Sequence, residues 1–178
     1  MMSSYKNNLN YGDLLESITF IQKPKSILEI GILDGFSLKC FADNSDKNTK
    51  IESYDIFDEF VGNSANKEQL IEKFKEYNNV NIQYGDFYKL HMLDNKYDII
   101  HIDIANNGDV YEYAINNYLQ KLNTNGLLIL EGGSNERDNI EWMIKYKKPK
   151  IQSILEKYKD KLDIITIGEF PSITFIKV

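Results

Sequence analysis

The first pattern with chemical potential is a glycine turn that follows a short apolar run. Residues 27–35 read ILEIGILDG. Glycine adopts backbone conformations closed to other residues, so Gly31 would let the backbone approach a bound molecule closely. Gly35 would open the next helix, whose first N–H groups and dipole favour a polar or anionic ligand. The segment therefore predicts a cofactor site.

The same turn argues against a dinucleotide as that cofactor. The NAD fingerprint is GxGxxG, whose second glycine lets the pyrophosphate approach the backbone. Leu33 stands where that second glycine should be, and Leu38 stands where the third would fall. A nicotinamide oxidoreductase is therefore a disfavoured interpretation.

An acidic residue ends the next strand-like run, Ser53-Tyr54-Asp55-Ile56. Asp55 follows Gly35 by 20 residues, near the spacing at which ribose-binding acids occur in Rossmann-like units. Its carboxylate could accept hydrogen bonds from two vicinal ribose hydroxyls. The alternative, which applies to any single acid in a loop, is a solvated strand end or a helix cap.

Two further acids, Asp103 and Glu131, end the fourth and fifth strand-like runs. If these strands are neighbours, about 4.8 Å apart, the two carboxylates could converge at the carboxyl edge of the sheet. They could hold Mg²⁺ together with waters, or one could act as a general base for a hydroxyl. His101, two residues back inside its strand, is better interpreted as a core imidazole.

These residues need strands and helices in alternation to position them. Short apolar runs alternate with helical periodicity, which is typical of repeated β-α units. Strands are predicted over 26–30, 50–56, 80–84, 97–103 and 126–131, and helices over 11–18, 35–42, 70–77, 110–122, 139–146 and 151–161. Asp109 and Glu112 have the residue types of a capping box for the fourth of these helices.

Two last strands, over 163–167 and 172–178, are joined by four residues. A parallel crossover needs a dozen or more residues, so these strands are predicted to be antiparallel. The whole pattern predicts a Rossmann-like α/β domain: a doubly wound sheet of mostly parallel strands with a C-terminal antiparallel hairpin.

Four motifs resemble those of class I S-adenosylmethionine-dependent methyltransferases. Residues 29–35 resemble the ExGxxxG form of motif I, and YGDF at 84–87 resembles the family's GD motif. YDIIHID at 97–103 and GLLILEGG at 126–133 are similar to stretches of small-molecule O-methyltransferases that include antibiotic-tailoring and sugar-modifying enzymes. The resemblance covers nearly the whole chain and is specific over 26–133.

The resemblance implies roles for individual residues. Glu29 would help to hold the methionine end of the cofactor, Asp86 would lie by the adenine amino group, and Phe87 would pack nearby. Asp103 enters both the cofactor-binding and the catalytic candidates, and Glu131 enters the catalytic ones. Metal-dependent relatives use three acidic or amide groups at the strand ends, whereas this chain supplies two. Mg²⁺ is therefore a weakly supported cofactor.

Composition limits the partners. The 178 residues carry a net charge of −6, which repels nucleic acids and anionic membranes. No apolar run approaches the roughly 20 residues of a membrane helix. We therefore predict one cytoplasmic domain over 1–178 that acts on a small-molecule substrate and binds neither nucleic acid nor membrane, with a homo-oligomer left open.

The leading functional hypothesis is methylation of a small polar molecule at oxygen or nitrogen, with a sugar or metabolite hydroxyl as the favoured acceptor. A second hypothesis is a non-catalytic Rossmann-like binding or assembly module that keeps the nucleoside pocket. Turnover of bound cofactor would separate the two.

Overall fold

The computed structural model describes residues 11–59 and 63–177. The chain divides after Tyr97 into two compact units. The extent of the domain, predicted as one over 1–178, stays a prediction. Among the described residues, no helix is long and apolar enough to cross a membrane.

The first unit contains three strands paired in parallel. Its elements are α1 (Tyr11–Gln22), β1 (Ser26–Ile30), α2 (Phe36–Asn44), β2 (Lys50–Asp55), α3 (Lys67–Lys73), β3 (Val80–Tyr84) and α4 (Phe87–Leu90). Ile30 lies opposite Tyr54 in the β1–β2 pair, and Asp55 lies opposite Tyr84 in the β2–β3 pair. Ile27, the second residue of β1, is fully buried, as expected for a parallel strand covered on both faces. The carboxyl ends of these strands therefore meet at one edge.

The second unit ends in the predicted hairpin. Its elements are β4 (Tyr97–Ile102), α5 (Gly108–Tyr118), β5 (Leu122–Glu131), α6 (Asn135–Asp138), α7 (Glu141–Lys145), α8 (Ile151–Tyr158), β6 (Asp163–Ile167) and β7 (Ile173–Lys177). β7 pairs antiparallel with both β5 and β6. The strand order is β3-β2-β1-β4-β5-β7-β6 in a seven-stranded mixed sheet. The predicted fold class is confirmed.

Three local predictions differ from the structure. β5 begins at Leu122 instead of 126, and the helix predicted over 139–146 is replaced by the shorter α6 and α7. Asn107, not Asp109, caps α5, because its side-chain oxygen accepts a hydrogen bond from the Asp109 N–H at 2.9 Å. Position 178, the end of the last predicted strand, lies outside the described residues.

The single cysteine, Cys40, is buried in α2 with 4% of its surface exposed. Burial, aided by the nearby charges of Glu16 and Glu29, raises the pKa of its thiol to about 12. Because the thiolate is the reactive form, we expect the native protein to be inert to Ellman's reagent at pH 8 and to release one equivalent of the chromophore in urea. Rapid labelling without urea would show that the thiol is accessible.

Candidate functional site

The glycine turn between β1 and α2 adopts the conformation that its residue types favour. Gly31 has φ 92° and Gly35 has φ 75°, both in the left-handed region. The Gly31 N–H donates to the Tyr54 carbonyl at 2.8 Å, which ties the turn to β2. Leu33 also has a positive φ, 50°, an uncommon conformation for a residue with a side chain.

Gly35 is required by packing as well as by its backbone angle. A Cβ atom added there would lie 2.7 Å from Cε2 of Phe74, well inside van der Waals contact. The absence of a side chain therefore lets the start of α2 pack closely on the residue that follows α3.

Asp55 organises this turn from the end of β2. Its Oδ2 accepts the backbone N–H of Ile32 at 2.8 Å and that of Leu33 at 3.4 Å. Its Oδ1 accepts the Phe57 N–H and the Asn63 side-chain amide, both at 2.7 Å. The carboxylate is thus buried and surrounded by donors, of which the Leu33 N–H is the most weakly held.

Glu29 is fully buried beneath the turn. Its Oε1 accepts a hydrogen bond from the Ser37 hydroxyl at 2.6 Å, and its Oε2 accepts one from Ser53 at 2.8 Å. The carboxylate therefore links β1 to the first turn of α2 and to β2. Within the first unit, Glu29, Gly31 and Asp55 therefore each contribute a hydrogen bond that joins β2 to β1 or to the turn after it.

Asp86 caps α4 after β3, which was the alternative interpretation of this acid. Its Oδ1 accepts the Tyr88 N–H at 2.9 Å, and Lys89 lies 3.4 Å from its Oδ2. The side chain keeps 29% of its surface exposed. Phe87 is buried and packs edge-on against the Tyr88 ring, with centroids 4.9 Å apart. The contacts of both residues with the cofactor stay predictions.

At the end of β5, in the second unit, Glu131 is held by a buried arginine. Arg137 Nε donates to Glu131 Oε1 at 2.7 Å, and Nη2 donates to Oε2 at 2.9 Å, so the pair is bidentate. Both side chains are 5% exposed. Burial raises the pKa of Glu131, and the hydrogen bonds and charge of Arg137 act in the opposite direction.

The Glu131–Arg137 pair is connected to the loop after β4. Asn106 Nδ2 donates to the carbonyls of Ile102 and Glu131, at 3.0 and 2.8 Å, and Arg137 Nη2 donates to the Asn106 carbonyl at 3.2 Å. The Tyr111 hydroxyl donates to the Glu131 carbonyl at 3.1 Å. The ends of β4 and β5 are therefore clamped together by side chains.

Asp103 follows β4 and is half-buried, whereas His101 inside the strand is fully buried. Burial lowers the pKa of Arg137, but the hydrogen bond and charge of Glu131 outweigh it and raise that pKa, with a smaller contribution from the charge of Asp103. The convergence of Asp103 and Glu131 on one reacting group stays a prediction.

Comparison with known proteins identifies the family. A family model described as a methyltransferase domain matches residues 28–131, from β1 to the end of β5. The chain belongs to this family. Within the family and fold, the prediction of a class I S-adenosylmethionine-dependent methyltransferase is confirmed, and a non-catalytic module is not favoured.

Several solved methyltransferases share the fold. The SAH-bound methyltransferase PaMTH1 of Podospora anserina is 17% identical, with 99% of this chain and 79% of that chain covered and a TM-score of 0.69. TomG, the O-methyltransferase of Streptomyces achromogenes involved in tomaymycin synthesis, solved with SAM, is 16% identical, with coverage of 94% and 79% and a TM-score of 0.68. The O-methyltransferase of Bacillus cereus, solved with SAH, is 16% identical, with coverage of 93% and 79% and a TM-score of 0.67. Comparison with curated protein sequences finds no match.

The methyltransferase does not present a good magnesium site at its strand ends. Both carboxylate oxygens of Glu131 are bound by Arg137, so this acid has no oxygen left to offer an ion. Within residues 11–59 and 63–177, no three His, Cys, Asp or Glu side chains group as metal ligands would. The donor set therefore does not fit a divalent metal.

Arg137 was missed by the sequence-based interpretation. Its helix, α6, has four residues and no apolar periodicity, so nothing in the pattern marked it. The composition, however, offered a signal: Arg137 is the single arginine in a chain that contains 20 lysines. Arginine binds carboxylates bidentately, whereas lysine acts as a point charge. A single arginine among many lysines therefore indicates a specific carboxylate partner.

Proposed function

We propose that this methyltransferase transfers the methyl group of S-adenosylmethionine to a hydroxyl oxygen of a small polar molecule, with a sugar or metabolite hydroxyl as the acceptor class. The observation that carries the proposal is the network of Asp55 with the glycine turn, because it places a carboxylate and a close-approach backbone at one strand edge. The O-methyltransferases that share the fold support oxygen as the target atom.

The residues of the first unit fit the cofactor by their chemistry. Asp55 would accept the ribose hydroxyls, which would take the place of the weakly held Leu33 N–H and of the Asn63 amide. Gly31 offers backbone approach, and Glu29 would hold the methionine end through the turn that it supports. Asp86 and Phe87 would border the adenine.

When bound, S-adenosylmethionine supplies an electrophilic methyl group on a cationic sulfur. Asp103 would accept the proton of the acceptor hydroxyl as the methyl carbon passes from sulfur to that oxygen, and would then return the proton to water. S-adenosylhomocysteine would be the leaving group. Glu131 is a weaker candidate for the base because Arg137 binds both of its oxygens.

The target atom can be tested with isotope-labelled methyl donor and two panels of acceptors. The oxygen panel contains glucose 1-phosphate, UDP-glucose and catechol, and the nitrogen panel contains histamine and putrescine. We expect label on oxygen, located by mass spectrometry. Label confined to the nitrogen panel would contradict the proposal.

Asp103→Asn is expected to lower the rate of methyl transfer by about 100-fold, since a positioned general base contributes at least that factor. Calorimetric titration with S-adenosylmethionine distinguishes its two predicted roles. Unchanged affinity with a reduced rate supports the base, whereas a parallel loss of affinity would make Asp103 a cofactor-binding residue instead.

A further inference from the structure

The guanidinium of Arg137 is fixed in place more firmly than an ion pair alone requires. Three of its five N–H groups are used by the two Glu131 oxygens and by the Asn106 carbonyl. The ring of Trp142 lies 5.2 Å from its Cζ atom, within cation–π range. The remaining nitrogen, Nη1, therefore points in a direction set by three partners.

Nη1 is buried and, among the residues that the structure describes, has no hydrogen-bond acceptor. Its residue is 4% exposed. Leaving a buried donor unsatisfied carries the full desolvation penalty of that group, so such groups in folded proteins are few and call for an explanation. The two N–H groups of Nη1 can therefore donate hydrogen bonds to an oxygen from outside the chain.

Nη1 belongs to a cluster at the ends of two strands, where ligands bind in this class of fold. Glu131 ends β5, and Asn106 binds the last carbonyl of β4, so the cluster lies at the carboxyl ends of both strands. In open α/β sheets, ligands bind outside these ends. Asp103, half-buried and electrostatically coupled to Arg137, lies in the same cluster.

We propose that Nη1 of Arg137 donates a hydrogen bond to the acceptor oxygen that becomes methylated. The proposal rests on the function proposed above and names a residue that binds the acceptor. A fixed cationic donor favours the deprotonated form of that oxygen and assists loss of its proton to Asp103. Because Glu131 already balances the charge of Arg137, the pair suits a neutral hydroxyl better than a phosphate dianion.

In this role, Arg137 would do what a divalent metal ion does in metal-dependent methyl transfer. A divalent ion at these strand ends would polarise the acceptor oxygen as a Lewis acid, whereas here the hydrogen bond from Nη1 polarises it without an ion. Methyl transfer should therefore proceed at the same rate in the presence of EDTA as in the presence of MgCl₂.

The test compares the wild type with Arg137→Lys, using the member of the oxygen panel that turns over fastest. Lysine keeps a positive charge near Glu131 but cannot reproduce the planar fork. We expect unchanged affinity for S-adenosylmethionine, a fall in kcat of about 100-fold, and a pH–rate profile whose rising limb moves to higher pH.

Arg137→Ala is the second variant, in which added methylguanidine should restore part of the rate. Lys157→Ala, which removes a surface ion pair with Glu112, is the control and should match the wild type.

An Arg137→Lys enzyme with the kcat and pH profile of the wild type would overturn the inference, as would loss of wild-type activity in EDTA. A reduced kcat with an unmoved pH profile and no rescue by methylguanidine would assign Arg137 a structural role and would also overturn it. Wild-type protein that transfers no methyl group to any oxygen acceptor would instead contradict the proposed function itself.

Discussion

Asp55→Ala is expected to weaken binding of S-adenosylhomocysteine by about 100-fold or more. Two charge-assisted hydrogen bonds to the ribose are lost, at a cost of about 3 kcal/mol or more in total, and each 1.4 kcal/mol is tenfold in affinity. The variant also frees the backbone N–H groups of Ile32 and Leu33, so the turn loses its anchor. Isothermal titration calorimetry measures the loss.

A ligand control separates ribose binding from support of the turn. The wild type should bind the 2′-deoxy analogue of S-adenosylhomocysteine less tightly than S-adenosylhomocysteine itself. Asp55→Ala should bind the two ligands with about equal affinity, as a double-mutant cycle requires for a direct contact. Asn63→Ala removes one competing donor and should keep or improve affinity. Equal discrimination by both proteins would mean that Asp55 does not contact the ribose.

Arg137→Ala is expected to destabilise the protein by about 3 kcal/mol or more, because it leaves the buried carboxylate of Glu131 without its partner. Urea unfolding at neutral pH measures the change. Lys157→Ala is the matched control, because its ion pair with Glu112 is exposed and such pairs contribute little. If the free energy of unfolding fell as little in Arg137→Ala as in the control, the buried pair would contribute little to stability.

The defect of Arg137→Ala should depend on pH in a defined direction. Without the opposing hydrogen bonds of Arg137, burial raises the pKa of Glu131 further above the unfolded value of 4.5. A group whose pKa is raised on folding loses stability as pH rises from the unfolded pKa to the folded one. The variant should therefore be closer to the wild type in stability at pH 5 than at pH 7.

The strands and the hairpin could be predicted because their signals are local. The apolar runs at β1 and β4 and the four-residue link before β7 each determine a structure within a few neighbouring residues. β5 was placed too late because Asn123, Asn125 and Gly126 are typical of turns; the strand nevertheless passes through them, with Asn125 at φ 64°. The turn preference of these residues was therefore a poor guide to where β5 begins.

The candidate site could be predicted only in part, for a physical reason. Asp55 and Glu131 each stand at the end of a strand, a position that the apolar runs of the sequence already mark. Their hydrogen-bond partners depend on tertiary contacts that sequence spacing does not specify. Arg137 reaches Glu131 from a four-residue helix, and Asn63 reaches Asp55 across a loop. The catalytic role of Glu131 stays a prediction, and the structure shows both of its carboxylate oxygens bound by Arg137.

The central claim is that the glycine turn and Asp55 form an S-adenosylmethionine site, and calorimetric titration of the full chain with S-adenosylhomocysteine tests it most directly. The account predicts one binding site per chain with a micromolar Kd, unaffected by excess NAD and weakened in Asp55→Ala by the factor given above. No heat of binding at millimolar ligand, or displacement of the ligand by NAD, would contradict it.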